Sequence, residues 1–271
     1  MHRKRLLTSI ILIPVLVAGL IWGGEFFFNL LLGTVTLLCL FEYFSMTFKD
    51  DLFFKFFGVF LGLIPIFLAI YKKEEVYLLF GLFLILLFSF IFTLFFYKSF
   101  EAPFLALLKF VFGASYIGIS AGFIFLIRYM NYGVHWIFFL LMVVFAADTG
   151  AYYVGTFMGK TKLCPSISKG KTVEGTIGGI FSGIFASILS WIIFFNFFDL
   201  RLLIPLAILL TIISQIGDLA ESVIKRACGV KDSGGILPGH GGVFDRIDSI
   251  LLSGSTLFWI LYFSNGEFFI N

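Results

Sequence analysis

Residues 76–97 read VYLLFGLFLILLFSFIFTLFFY, 22 residues without a single charge. A helix of this length crosses a hydrocarbon core of about 30 Å, where each backbone N–H and C=O must find its partner inside the segment. Similar runs recur on both sides, near 26–45, 52–71, 104–127, 135–157, 175–195, 202–221 and 249–264. An opening run near 5–22, bent at about Pro14, leads through Gly23, Gly24 and Glu25 into the next. No small-residue cleavage site interrupts it, so it reads as a retained helix rather than a signal peptide. The expected fold class is all-α: a polytopic integral membrane protein with about nine transmembrane helices.

Composition agrees. The 271 residues are 60% hydrophobic and only 13% charged, half the charge of an ordinary globular domain. The 40 Phe are lipid-facing and packing bulk. Cys39, Cys164 and Cys228 are scattered, so neither a disulfide framework nor a zinc site is signalled. The pI near 8.7 reflects helix-orienting cations. No basic stripe interleaves with aromatics, and no nucleic-acid partner is expected.

Those cations set the topology. With a cytoplasmic N-terminus, the inside segments hold Arg3, Lys4, Arg5, Lys49, Lys55, Lys98, Lys109, Lys160, Lys162, Lys169, Lys171, Lys225, Arg226, Lys231 and Arg246, which is 15 of the 19 Lys and Arg. Only Lys72, Lys73, Arg128 and Arg201 fall outside. The positive-inside rule thus favours an odd number of spans, N-terminus in and C-terminus out. The chain reads as one membrane domain, 1–271. A helical scaffold covers 1–132, where Glu42 is the one acid well inside a span. A functional half covers 133–271, where acids gather at helix ends and two inside loops are long and glycine-rich.

Three patterns in that half suggest chemistry, and one suggests packing. Asp148, in FAADTGAYYVG, lies near the inner end of a span, where an acid is costly unless it is used. The loop GKTKLCPSISKGKTVEG, 159–175, carries Lys160, Lys162, Lys169 and Lys171, with Lys171-Thr172 just ahead of a helix whose free N–H groups favour an anion. It lacks P-loop spacing. Gly175, Gly179 and Gly183, four apart with Ala186 near the same face, let helices approach closely, within the fold or across a homodimer interface.

The densest pattern is DLAESVIKRACGVKDSGGILPGHGGVFDRID, Asp218–Asp248. Continued as a helix, it places Asp218, Glu221, Ser222 and Lys225 on one face. Asp245 and Asp248 are likewise three apart. The five glycines and one proline of KDSGGILPGHGG make a loop between them. Carboxylates with few soft ligands suit Mg²⁺ or Mn²⁺. Acids and bases mixed at one depth suit phosphoryl or nucleotidyl transfer.

At these residues the chain resembles the phosphatidate cytidylyltransferase (CDP-diacylglycerol synthase) family. From Ser222 to Asp248 the family signature fits throughout, including K-D, P-x-H-G-G and D-R-x-D, and segments 148–155, 170–179 and 217–222 are also similar. Lys169 departs from the family pattern, which often has proline there. The resemblance implies Mg²⁺-dependent transfer of CMP from CTP to phosphatidic acid, giving CDP-diacylglycerol and pyrophosphate, with a second cation left open. It also implies an inner-membrane enzyme whose site faces the cytoplasm. On that basis Asp218 and Asp245 are expected as the main metal ligands, with Asp148, Glu221 and Asp248 as further ligands or their partners. Lys160, Lys171, Thr172, Ser222, Lys231 and Arg246 are expected at the nucleotide and phosphates, and Lys225, Arg226 and His240 at the reacting groups. Two other readings compete: a CTP-dependent kinase of a lipid alcohol, which would release CDP, and an ion-coupled transporter, which would spread its charges around the midplane.

Overall fold

The structure, a computed structural model, describes residues 19, 23–49, 51–196, 198–236 and 241–264. The expected opening span, 5–22, lies outside the described residues apart from Gly19. The chain forms two compact units, Met1–Leu126 with Asp232–Arg246, and Ile127–Lys231 with Ile247–Asn271.

The first unit contains helices α1 (Gly24–Thr47), α2 (Leu52–Lys72), α3 (Val76–Phe95) and α4 (Pro103–Gly113). A π-helical turn, Ala114–Ile119, continues α4 into α5 (Ser120–Ile127). Asp51 starts α2 by accepting a hydrogen bond from Phe54 N at 3.1 Å, satisfying one of the N–H groups that a helix start leaves over. α1 buries Thr36, Cys39, Leu40, Tyr43 and Phe44, a helical stripe, and Glu42 is buried beside it. Aromatic packing fills this unit. Phe57 stacks on Phe92 with ring centroids 3.6 Å apart, and Phe110 meets Phe48 at 4.6 Å. Other Phe side chains, such as Phe26, Phe67 and Phe95, are exposed, as a lipid-facing surface requires.

The second unit contains α6 (Gly133–Met158), strands β1 (Lys162–Cys164) and β2 (Ser168–Thr172), α7 (Val173–Ile193) and α8 (Leu200–Ala227). It also holds the greater part of α9 (Phe244–Phe263). Seven helices among the described residues are long and apolar enough to cross a membrane. α9 is not one of them, because Asp245, Arg246 and Asp248 sit at its start. Several crossings and the predominance of helix among the described residues make this an all-α, multi-pass membrane protein.

One element lies outside the helical expectation. The lysine loop after α6 is an antiparallel hairpin pairing Lys162 with Thr172 and Cys164 with Ser168. Its strands are too short and too rich in Lys and Gly to show alternation.

The glycine row of α7 packs inside this unit. A Cβ on Gly183 would run into Thr211 of α8, and one on Gly175 would lie 2.8 Å from Ala151 O of α6. At Gly179 a Cβ would stand 2.9 Å from Gln215 Nε2 and 3.0 Å from Ala147 O. Gly179→Leu should therefore force α7 off both neighbours and cost about 1–3 kcal/mol. The expected reading is a lower midpoint of thermal unfolding in detergent, and an unchanged midpoint would contradict this packing.

Candidate metal and phosphate site

The sequence asks whether α8 continues past its apolar part, and it does. Its last turn carries Lys225 and Arg226, cations suited to the negative end of a helix, and it stops at Cys228 before Gly229, whose φ is +70°. Asp218, Glu221, Ser222 and Lys225 consequently share a face. From α9, Asp248 joins them. One carboxylate oxygen from each of Asp218, Glu221 and Asp248 lies within 4.8 Å of the others. Glu221 is 1% exposed and Asp248 6%, so two of the three acids are withdrawn from water.

Three carboxylates this close do not hold together unaided. A pair about 5 Å apart repels by roughly 3 kcal/mol at an effective dielectric of about 20. Two lysines offset part of that. Lys225 pairs with Glu221 one turn away on α8, and Lys171 Nζ of β2 lies 2.7 Å from Asp218 Oδ2. Lys171 also donates to Gln215 O at 3.5 Å, which aims its long side chain along α8. Asp248 Oδ1 accepts from Ser249 N at 2.7 Å. Asp148 on α6 is exposed, yet its charge, like that of Asp218, acts on Asp248.

The hairpin brings Lys171 to the site, and its ends are fixed by capping. Thr172 Oγ1 accepts from Gly175 N at 3.1 Å and starts α7, so its hydroxyl serves the helix cap. Glu174, in the first turn, accepts from Lys160 N and Thr161 N at 3.1 Å each, which ties the start of the hairpin to its end. Glu174, the second residue of α7, is absent from the site residues expected above; an acid in the first turn of a helix is the sequence signal that points to it. Lys160 and Lys231 are exposed, and Ser222 is buried. Arg226 donates to Val230 O at 2.9 Å and Ile167 O at 3.4 Å, pinning the end of α8 to the hairpin turn.

Two other expected site residues, Asp245 and Arg246, belong to the first unit. Asp245 accepts from Gly242 N at 2.9 Å and from Ser233 N at 3.1 Å, and Arg246 is exposed. His240 lies outside the described residues.

The donor set of the cluster fits a divalent cation. It offers hard carboxylate oxygens, no sulfur and no imidazole, and more negative charge than its two lysines balance. A lysine-fringed acidic site of this kind can assemble a polyanion such as a nucleoside triphosphate. The sequence model of the Cytidylyltransferase family matches residues 3–264. The chain belongs to the cytidylyltransferase family.

Relatives within and around that family carry a more specific name. The phosphatidate cytidylyltransferase of Staphylococcus saprophyticus is 47% identical over 138 residues, covering 51% of this chain and 52% of that protein. The Staphylococcus haemolyticus protein of the same name is 46% identical over 139 residues, covering 51% and 52%. That of Bacillus subtilis is 40% identical over 149 residues, covering 55% of each chain. The chain thus spans about half the length of the curated relatives it matches.

Proposed function

We propose that this member of the cytidylyltransferase family transfers CMP from CTP to phosphatidic acid, forming CDP-diacylglycerol and pyrophosphate. One observation carries the reading: the Asp218–Glu221–Asp248 cluster flanked by Lys171 and Lys225, in a chain whose relatives bear the name of this activity. In the reaction a phosphate oxygen of phosphatidic acid attacks the α-phosphorus of CTP. The new P–O bond forms as the bond from the α-phosphorus to the α,β-bridging oxygen breaks, and pyrophosphate leaves with that electron pair. The attacking phosphate is already ionised near neutral pH, so the protein supplies position and charge rather than a base.

Asp218, Glu221 and Asp248 would hold Mg²⁺, and the family resemblance alone adds Asp245 and Asp148 as candidate cation ligands. Bound there, Mg²⁺ would neutralise charge on the phosphates. Lys171 and Lys225, already drawn to carboxylates, add positive charge at the same depth. Lys160, Lys231, Arg226 and Arg246, on loops or helix ends, are suited to guiding the triphosphate. The concentration of Lys and Arg in alternate loops supports a site facing the cytoplasm, where CTP resides.

The test is pyrophosphate release by purified protein in detergent micelles containing phosphatidic acid, with CTP and Mg²⁺. Release should require all three, and the lipid product should carry CMP. Chelation should reduce it to background, and added Mg²⁺ should restore it. Formation of CDP from a lipid alcohol would instead establish the kinase reading.

A further inference from the structure

Glu42 lies in the last two turns of α1 and is 2% exposed. A carboxylate at this depth of a membrane-spanning helix is costly unless donors satisfy it. Its donors among the described residues come from one distant segment. Oε2 accepts from Ser233 Oγ at 3.0 Å and from Phe244 N at 2.9 Å, and Oε1 accepts from Val243 N at 3.0 Å. Val243 and Phe244 lie at the start of α9, where N–H groups lack partners inside the helix and the helix dipole favours an anion.

The same segment holds Asp245. Ser233, whose hydroxyl is bound to Glu42, gives its own N–H to Asp245, and Gly242 N does so as well. Side chains at Gly234 or Gly242 would collide with the Glu42 carboxylate, so these glycines admit the close approach. Phe244 is fully buried, with Tyr43 and Tyr116 meeting it edge-on at 6.4 and 6.2 Å between centroids. One acid of the scaffold thus grips the segment on both sides of residues 237–240.

We infer that Glu42 is a positioning residue for cytidylyl transfer: it holds Ser233 and the start of α9 in place and through them fixes the Asp245 carboxylate. The inference rests on the transfer reading for the use made of Asp245, and on geometry alone for the grip.

The experiment compares wild type, Glu42→Gln and Ser233→Ala in detergent by hydrogen–deuterium exchange and by pyrophosphate release. Glutamine keeps the volume but presents an NH₂ where an acceptor is needed. Exchange over 232–246 should rise at least tenfold in Glu42→Gln, with other helices unchanged. Its kcat should fall at least tenfold while KM for CTP stays within about threefold. Ser233→Ala, which loses one of the three bonds, should show a smaller change of the same kind. Wild-type exchange and kcat in folded Glu42→Gln would overturn the inference. So would faster exchange spread over α2 and α3, since that marks a general packing defect. Should Glu42→Gln fail to fold, Ser233→Ala decides: normal exchange in the segment with normal kcat overturns the inference. An inactive wild type would defeat the transfer reading alone, because exchange reports the grip without turnover.

Discussion

Asp218→Asn should lower pyrophosphate release about a thousandfold and leave the thermal midpoint in detergent within a few degrees of wild type. On the proposed function, the activity loss follows from removing one hard ligand of a cation asked to supply several kcal/mol of charge stabilisation, each 1.4 kcal/mol being about tenfold in rate. Stability should barely move. The Asp218 side chain is 38% exposed and its partner Lys171 21%, and ion pairs this open contribute about 0–1 kcal/mol. Against that small loss stands relief of repulsion from Glu221 and Asp248, whose oxygens are within 4.8 Å. Half-saturation should also shift to higher Mg²⁺ concentration. Turnover within tenfold of wild type would remove Asp218 from the metal and phosphate machinery.

Lys225→Met should behave differently, losing stability and activity together. Glu221 is 1% exposed and Lys225 is 12% exposed, so the methionine would leave a carboxylate buried beside two others without its neighbouring cation. Breaking a buried pair in this way costs about 3–5 kcal/mol. The double variant Glu221→Gln/Lys225→Met separates the two effects. With the charge removed on both sides, the thermal midpoint should recover most of the loss, since replacing both members of a buried pair is often close to neutral. Activity should stay low, because the proposed site has then lost a carboxylate and a cation. Recovery of both quantities would mean that the pair serves the fold alone.

These two variants test the part of the site that was legible beforehand. Asp218, Glu221, Ser222 and Lys225 are related by the 3.6-residue period of one helix, a local rule that needs no tertiary information. Seven of the expected apolar spans were legible for a similar reason, since each answers to the thickness of the bilayer through its own length. Span ends shifted by only a few residues, with α6 running 133–158 where 135–157 was expected. The hairpin at 162–172 was not legible, because β1 and β2 have three and five residues and little apolar alternation. The glycine spacing of α7 announced close packing without naming the partner. Only the fold shows α6 and α8 taking that face.

The sequence by itself determined a multi-pass helical membrane protein, the family, and the acid-and-base island from Asp218 to Asp248. It also marked Glu42 as an acid out of place in an apolar helix. Tertiary structure decided which acids meet. It set Asp248 against Asp218 and Glu221, brought Lys171 in from the hairpin, and gave Glu42 its donors across separations of 191 to 202 residues. The physical reason is one of range. Helix period and bilayer thickness act on neighbouring residues and leave a pattern in the chain. Hydrogen bonds and ion pairs between distant segments depend on how whole helices pack, and no periodicity records them.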